Sequence, residues 1–215
     1  MVVDTETISL EKKFIYDLGL IIAEWNGKEY EPIEKHSLII KQVYSNKMLF
    51  DTAYYADKRP KYVSKLKGKK SIAKHYGHTM RFVSKLIKTY NINKVFAYNS
   101  IFDKQAFKFT AKYFGCKNPL DKLQWRDIYE VAIKYIQKSK QYIDTAKEKN
   151  WITERGNVQG SAEKVYQFIK NDYNFVESHT GLEDSEIELD ILNKCIELGY
   201  SLQFIKKQFI KINSD

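Results

Sequence analysis

Val2-Val3-Asp4-Thr5-Glu6-Thr7 sets two carboxylates two residues apart in a run that is otherwise β-branched and apolar. The run reads as a strand, and because side chains alternate along a strand, Asp4 and Glu6 project from one face. Two such acids repel each other and lose hydration as they are buried. A divalent cation with hard oxygen ligands, Mg²⁺ or Mn²⁺, removes that cost. The alternative is an exposed edge strand with both acids in water.

Outward from this run, Phe14 to Glu24 and His36 to Val43 are apolar stretches separated by Asn26-Gly27, which predicts two further strands joined as a hairpin. Residues 51 to 70 read as a basic, tyrosine-containing connection. Residues 71 to 90 repeat Ile72, Tyr76, Met80, Val83, Leu86 and Ile87 at helical spacing. Lys94 to Asn99 is a short strand, a helix runs from Phe102 to its stop at Gly115, and Leu123 to Ile128 is another strand. Helical segments follow near 129–138, 140–149, 161–171, 182–198 and 201–211, with a loop at Gly156, Asn157 and Gly160. Hairpin strands followed by strands alternating with helices predict an α/β domain spanning 1–215, with a mixed central sheet of about five strands flanked by helices.

The composition narrows the class. The chain has 215 residues, 43% of them hydrophobic, with only 9 glycines and 3 prolines, which excludes collagenous and disordered chains. Its longest uninterrupted apolar run, Leu18 to Ala23, is far short of the roughly 20 residues that cross a bilayer, so no membrane partner is expected. Neither a basic n-region nor an apolar h-region opens it, and Cys116 and Cys195 stand far apart in no metal spacing. The expectation is a reducing, cytoplasmic setting in which both cysteines are small core residues.

Charge is uneven. From Lys58 to Phe102 there are twelve cations and no acid, so of the overall +9 the rest of the chain carries −3. Tyr54, Tyr55, Tyr62 and Tyr76 are interleaved with the cations. Positive charge beside aromatic faces suits a single-stranded nucleic acid, with phosphates on lysines and bases on rings. A solvated lysine-rich helix is the plain alternative.

Further acids have ordinary roles when taken singly. Asp103 follows the 94–99 strand where a helix begins, with Ser100 offering a cap. Asp184 falls in the first turns of a long helix among Glu183, Glu186, Glu188 and Asp190, which complement the helix N-terminus. His179 precedes that helix on a glycine-containing loop near water, suited to a base with a midpoint of about 6.5.

In chain order these elements make Asp-x-Glu on a strand, then Asn-x-x-x-Asp, then His-x-x-x-x-Asp. The constellation resembles the DnaQ-like, or DEDDh, 3′-to-5′ exonuclease family of ribonuclease H-like fold. The likeness extends to its phage and prophage members and to the proofreading exonuclease subunit of DNA polymerase III. Asp4-Thr5-Glu6, Tyr98-Asn99-Ser100-Ile101-Phe102-Asp103 and His179-Thr180-Gly181-Leu182-Glu183-Asp184 match its three motifs. Two positions depart from it: Ile8 stands where a small or hydroxylated residue is common, and Tyr98 where many members have histidine. Thr180, four before Asp184, disfavours the tyrosine subfamily.

The resemblance implies two divalent cations held by Asp4, Glu6, Asp103 and Asp184, with Asp4 bridging them, and His179 as general base. It implies terminal-nucleotide contacts from Thr5, Thr7, Asn99 and Phe102, and nucleoside 5′-monophosphates as products. The preferred substrate is single-stranded or frayed DNA, with a polymerase or replication partner compatible; the alternatives are the same chemistry on RNA or short oligoribonucleotides, and a non-catalytic nucleic-acid binder on the same fold. Lys65, Lys67, Lys69 and Lys70 are the expected strand track.

Overall fold

The computed structural model describes residues 1–201; the helix expected near 201–211 lies outside the described residues but for Ser201. Six strands form one mixed sheet: β1 (Val2–Thr7), β2 (Ile15–Trp25), β3 (Tyr30–Ile40), β4 (Ile72–Lys74), β5 (Lys94–Ala97) and β6 (Gln124–Asp127). Their order is β4-β3-β2-β1-β5-β6. β2 runs antiparallel to both β1 and β3, while β4 lies parallel to β3, and β5 to β1 and β6. The mixed α/β reading therefore holds, with six strands in place of about five. The extra strand is β4, three residues of a segment whose spacing read as helix. It pairs the edge of β3, and that pairing outweighs local periodicity.

Nine α-helices occur among the described residues: α1 (Lys41–Tyr44), α2 (Lys47–Phe50), α3 (Arg59–Lys67), α4 (Tyr76–Thr89), α5 (Ser100–Tyr113), α6 (Ile128–Ala132), α7 (Lys140–Glu148), α8 (Ala162–Lys170) and α9 (Gly181–Glu197). A π-helical turn, Ile133–Gln137, extends α6. The 51–70 connection is thus partly helical, since α3 starts with Pro60 in its first turn, where a missing N–H costs nothing. None of the described helices is long and apolar enough to cross a membrane.

Period-2 alternation on β1 assigns the two faces of the sheet. Val3 joins a core with Leu18, Leu20, Leu38, Met80 and Phe107, under α4 and α5. Val2 joins the opposite core with Ile21, Phe96, Val165, Leu189 and Leu192, under α6 to α9. Asp4 and Glu6 share the face of Val2, the one on which α9 lies. β1 sits between β2 and β5, so the exposed-edge reading of its acids fails.

A close backbone approach brings α9 onto this sheet. A Cβ on Gly19 of β2 would fall 1.9 Å from the Gly181 carbonyl oxygen, and one on Gly181 would fall 2.4 Å from the Gly19 nitrogen. Only glycine at both positions lets the first turn of α9 lie against the strand backbone. The Gly181 N–H donates to Asp17 Oδ2 at 2.9 Å, so a buried strand carboxylate caps the helix.

Candidate active site

The end of β1 gathers acids from three segments. Asp4 is partly buried and its Oδ2 is enclosed without a hydrogen-bond partner. Glu6, Asp103 and Asp184 are buried. Asp103 Oδ1 accepts from both the Thr5 N–H (3.0 Å) and the Thr5 hydroxyl (2.8 Å). This works because β1 outruns β5, whose only registered pair with it is Val2–Phe96, leaving the Thr5 amide for the first turn of α5. Atoms of Glu6, Asp184 and His179 lie within 4.8 Å of one another.

The electrostatics of this cluster call for cations. Burial first, and then the charges of Glu188, Asp184, Glu6 and Asp103, push Asp4 well above the usual carboxylate range. Burial and Asp184 do the same to Glu6. Burial raises Asp103 to about 7 against the Thr5 hydrogen bond that lowers it. Asp184 is raised to about 8 by burial and by Glu177 and Asp17. Burial and mutual repulsion favour the protonated acids until a cation neutralises them. An all-oxygen donor set with an enclosed, unpartnered carboxylate oxygen fits hard divalent cations.

His179 has a left-handed backbone (φ 51°) and its ring is stacked on Tyr55, with centroids 4.2 Å apart and planes 12° apart. The glycine-containing loop therefore does not leave the ring free. Its Nδ1 lies 4.0 Å from Glu177 Oε2. Burial, then the Lys58 charge, lowers its pKa, keeping the ring neutral near pH 7.

Several expected substrate contacts are engaged elsewhere. The Thr5 hydroxyl is committed to Asp103, making Thr5 a positioning residue. Asn99 is exposed in the left-handed region (φ 61°) without a side-chain cap bond, and its N–H donates to Asp127 Oδ1; Ser100 begins α5 and is not its cap. Thr7 and Phe102 do line a cleft of about 640 Å³, together with Thr5, Glu6, Ile8, Leu10 and Tyr55. Ile8 occupies its unusual position because it is buried in the core beneath that cleft. Tyr98 turns away, and its hydroxyl donates to the Gly160 carbonyl.

The lysine track divides. Lys65 is nearly buried and binds Thr180 Oγ1 (2.8 Å) and Glu183 (3.0 Å), fastening α3 to the start of α9. Lys61 also pairs with Glu183, at 2.7 Å. Lys67, Lys69 and Lys70 are exposed, at and just beyond the end of α3. Tyr62 and Tyr76 are core residues, unavailable to bases. Cys195 is buried as expected, whereas Cys116 is half-buried.

Three residues with altered environments were not foreseen. Asp17 is raised to about 6 by burial, Glu177 to about 7 by burial and by Glu163, and Glu188 well above its usual range by burial and by Asp103. Asp17 carried a signal, an acid inside the apolar run Ile15-Tyr16-Asp17-Leu18. Glu188 carried one as well: it stands four residues after Asp184, on the same helix face.

Fold and site together define an α/β domain with a mixed sheet and an acid cluster beside a histidine at the end of its central strand. Among solved structures the chain is similar to "Exonuclease X in complex with 5′ overhanging duplex DNA", with 14% identity over 92% of this chain and 91% of that one and a TM-score of 0.41. A likeness that shallow leaves activity to be argued from the site's own residues. No protein-family model and no curated protein matches the chain.

Proposed function

We propose that the chain is a metal-dependent 3′-to-5′ exonuclease acting on single-stranded or frayed DNA. The observation carrying this reading is the convergence of Asp4, Glu6, Asp103 and Asp184 from three separate segments around one neutral histidine. Asp4, Glu6, Asp103 and Asp184 would hold two divalent cations, Mg²⁺ or Mn²⁺. Bound there, such ions supply Lewis-acid activation and neutralise charge on the phosphate and the leaving oxygen.

The chain's own residues do the rest. His179 accepts the proton of the attacking water at a ring nitrogen, and its lowered pKa makes it a base below pH 6.5. Tyr55 fixes the plane of that ring, and Thr5 fixes the rotamer of Asp103. Phe102 and Leu10 offer an apolar wall to the terminal sugar and base. Lys67, Lys69 and Lys70 lie outside and attract the trailing phosphates.

Matched 5′-labelled and 3′-labelled DNA and RNA strands, digested with Mg²⁺ or Mn²⁺, test the reading. The expected result is a shortening ladder from 5′-labelled DNA and early release of the 3′ label as a 5′-monophosphate, with RNA slower. A ladder of opposite polarity, or no hydrolysis with either ion, overturns it.

A further inference from the structure

The basic stretch that reads as a strand track offers few rings to bases, since Tyr62 and Tyr76 are buried. Helix α5 offers both rings and cations on its outer side. Its inner face, with Ala106, Phe107, Thr110 and Ala111, is buried. Outside, Lys104, Lys108 and Lys112 recur every four residues and form one row along the axis, while Gln105, Phe109 and Tyr113 form the row beside it. All three lysines are exposed, and none is in an ion pair among the described residues.

The ring row continues out of the cleft. Phe102 lines that cleft, and Lys13 Nζ lies 5.3 Å from the centroid of its ring while donating to Gln105 Oε1. Phe14, the next residue along, meets Phe109 and Tyr113 edge-on, with centroids 5.0 and 4.6 Å away. Braced in this way, Phe109 is still 40% exposed and Tyr113 68% exposed. On the other flank, Lys108 and Lys112 form part of the wall of a groove of about 920 Å³, where Arg81, Lys117 and Lys122 bring the cations to five against the single acid Asp121. Rings, lysines and a cationic groove thus lie side by side along one helix that starts at Asp103. An acidic peptide would answer the cations alone. A single strand answers both, with bases stacked on rings and phosphates on lysines.

We infer that the outer face of α5 is a binding platform for single-stranded nucleic acid, which takes the nucleotides next to the terminal one. Bases stack on Phe109 and Tyr113, and phosphates meet Lys108 and Lys112. The 14 residues of α5 span about 21 Å, room for about six nucleotides at the roughly 3.4 Å spacing of a stacked strand. The placing of the terminal nucleotide rests on the exonuclease reading above; strand binding by the platform needs no cleavage.

Fluorescence anisotropy of the whole chain with labelled oligothymidines of graded length, in EDTA so that nothing is cut, is the test. Affinity should climb from a dinucleotide up to about six nucleotides. Phe109→Ala with Tyr113→Ala should weaken a long strand about tenfold or more, the scale of lost base stacking, and leave an abasic strand of equal length unaffected. Lys108→Ala with Lys112→Ala should flatten the salt slope by about 1.4 for both strands. Lys140→Ala with Lys147→Ala, an equal loss of exposed charge on α7, should leave that slope as it is. Ring-variant affinities that coincide with wild type, a ring variant that loses abasic and ordinary strands alike, or a wild type that binds no strand overturn the assignment. Poly-glutamate that displaces the strand as well as an unlabelled strand does also overturns it, making this face a dock for an acidic protein. A wild type that binds as described but hydrolyses nothing with Mg²⁺ or Mn²⁺ overturns the exonuclease reading and leaves the platform standing. A wild type that hydrolyses strands, with a ring variant equal to it on long ones, removes the platform alone. A thermal melt verifies folding, and should the double ring variant fail it, Tyr113→Ala, at the more exposed position, carries the same comparison and the same outcomes.

Discussion

The acid cluster and the basic stretch from Lys58 to Phe102 are two concentrations of like charge that the fold treats in opposite ways. The acids are drawn inward, and burial with mutual repulsion pushes Asp4, Glu6, Asp103, Asp184 and Glu188 above the ordinary carboxylate range. The cations stay near the surface, and several find partners within the chain. Lys61 and Lys65 hold Glu183 down at about 2 despite its partial burial, and Arg59 lies over the rings of Tyr44 and Phe50. The difference follows from side-chain length and hydration. A lysine or arginine stem lets the charge reach a distant partner or solvent, whereas a buried short carboxylate must keep a proton or meet a cation. Inward acids therefore mark chemistry more reliably than outward lysines do.

The sharpest way to break this contrast is to remove an inward charge. Asp4→Asn or Asp184→Asn should abolish more than the roughly 10²–10⁴ in rate that a lost general base costs, while the variants stay folded. Without metal they should melt above the wild type, since each relieves repulsion. The same logic fixes a pH dependence for the metal-free protein. The folded state holds protons on Asp103 to about 7 and on Asp184 to about 8, while the unfolded chain releases them from about 4 upward. Stability from these groups is present at low pH and is lost as pH rises through about 7 to 8. The metal-free melting temperature should fall between pH 5 and 8.5, and Mg²⁺ should restore more of it at 8.5 than at 5. A metal-free melting temperature that rises over this interval would show that the acids are not the strained groups described.

Much of this site was legible in the residues themselves. Strand alternation put Asp4 and Glu6 on one face, and motif spacing singled out Asp103, His179 and Asp184. What stayed hidden depends on the third dimension. Thr5 became a positioning residue only because β1 outruns β5 and exposes its amide to α5. Glu188 looked like one of several helix-start acids, since no linear pattern shows that Glu183, Glu186 and Asp190 pair with cations while Glu188 is buried. Strand β4 was lost in a helical periodicity because three residues are too few to announce an edge pairing.

His179→Ala comes next in expected size, a loss of about 10²–10⁴ in kcat with little change in strand binding. The wild-type rate should rise with pH and level off through a midpoint below 6.5, in the direction that burial and Lys58 push the ring. Tyr55→Leu should lower kcat less and leave that midpoint nearer the ordinary histidine value. Rates unchanged in both variants would detach the stacked pair from the reaction.

Lys65 sharpens the comparison from the other side, as a cation that belongs to the fold. Its Nζ bridges Thr180 and Glu183 at the entrance to α9, one residue beyond His179. Lys65→Ala should destabilise the chain by about 1.5–3 kcal/mol, the worth of hydrogen bonds to a charged group. It should also slow every substrate, a dinucleotide as much as a long strand, by about tenfold, as lost support behind a site does. A loss confined to long strands would return Lys65 to the track.

The smallest effect belongs to Lys67, Lys69 and Lys70, which are exposed and have no ion pair among the described residues. Their charges sit at and just beyond the C-terminal end of α3, before the edge strand β4. Each phosphate neutralised along a single strand contributes about 0.7 to the salt slope of binding. Replacing all three with alanine should therefore flatten the slope for a long strand by about 2, and raise KM for that strand several-fold. Turnover of a dinucleotide, too short to reach them, should be unchanged. This pattern is the mirror image of the one expected for Lys65→Ala, so the two variants assayed side by side separate a cation that contacts substrate from one that holds the loop. Equal salt slopes for the triple variant and the wild type would make these three lysines a solvated surface, and the strand track would then have to be sought among other cations.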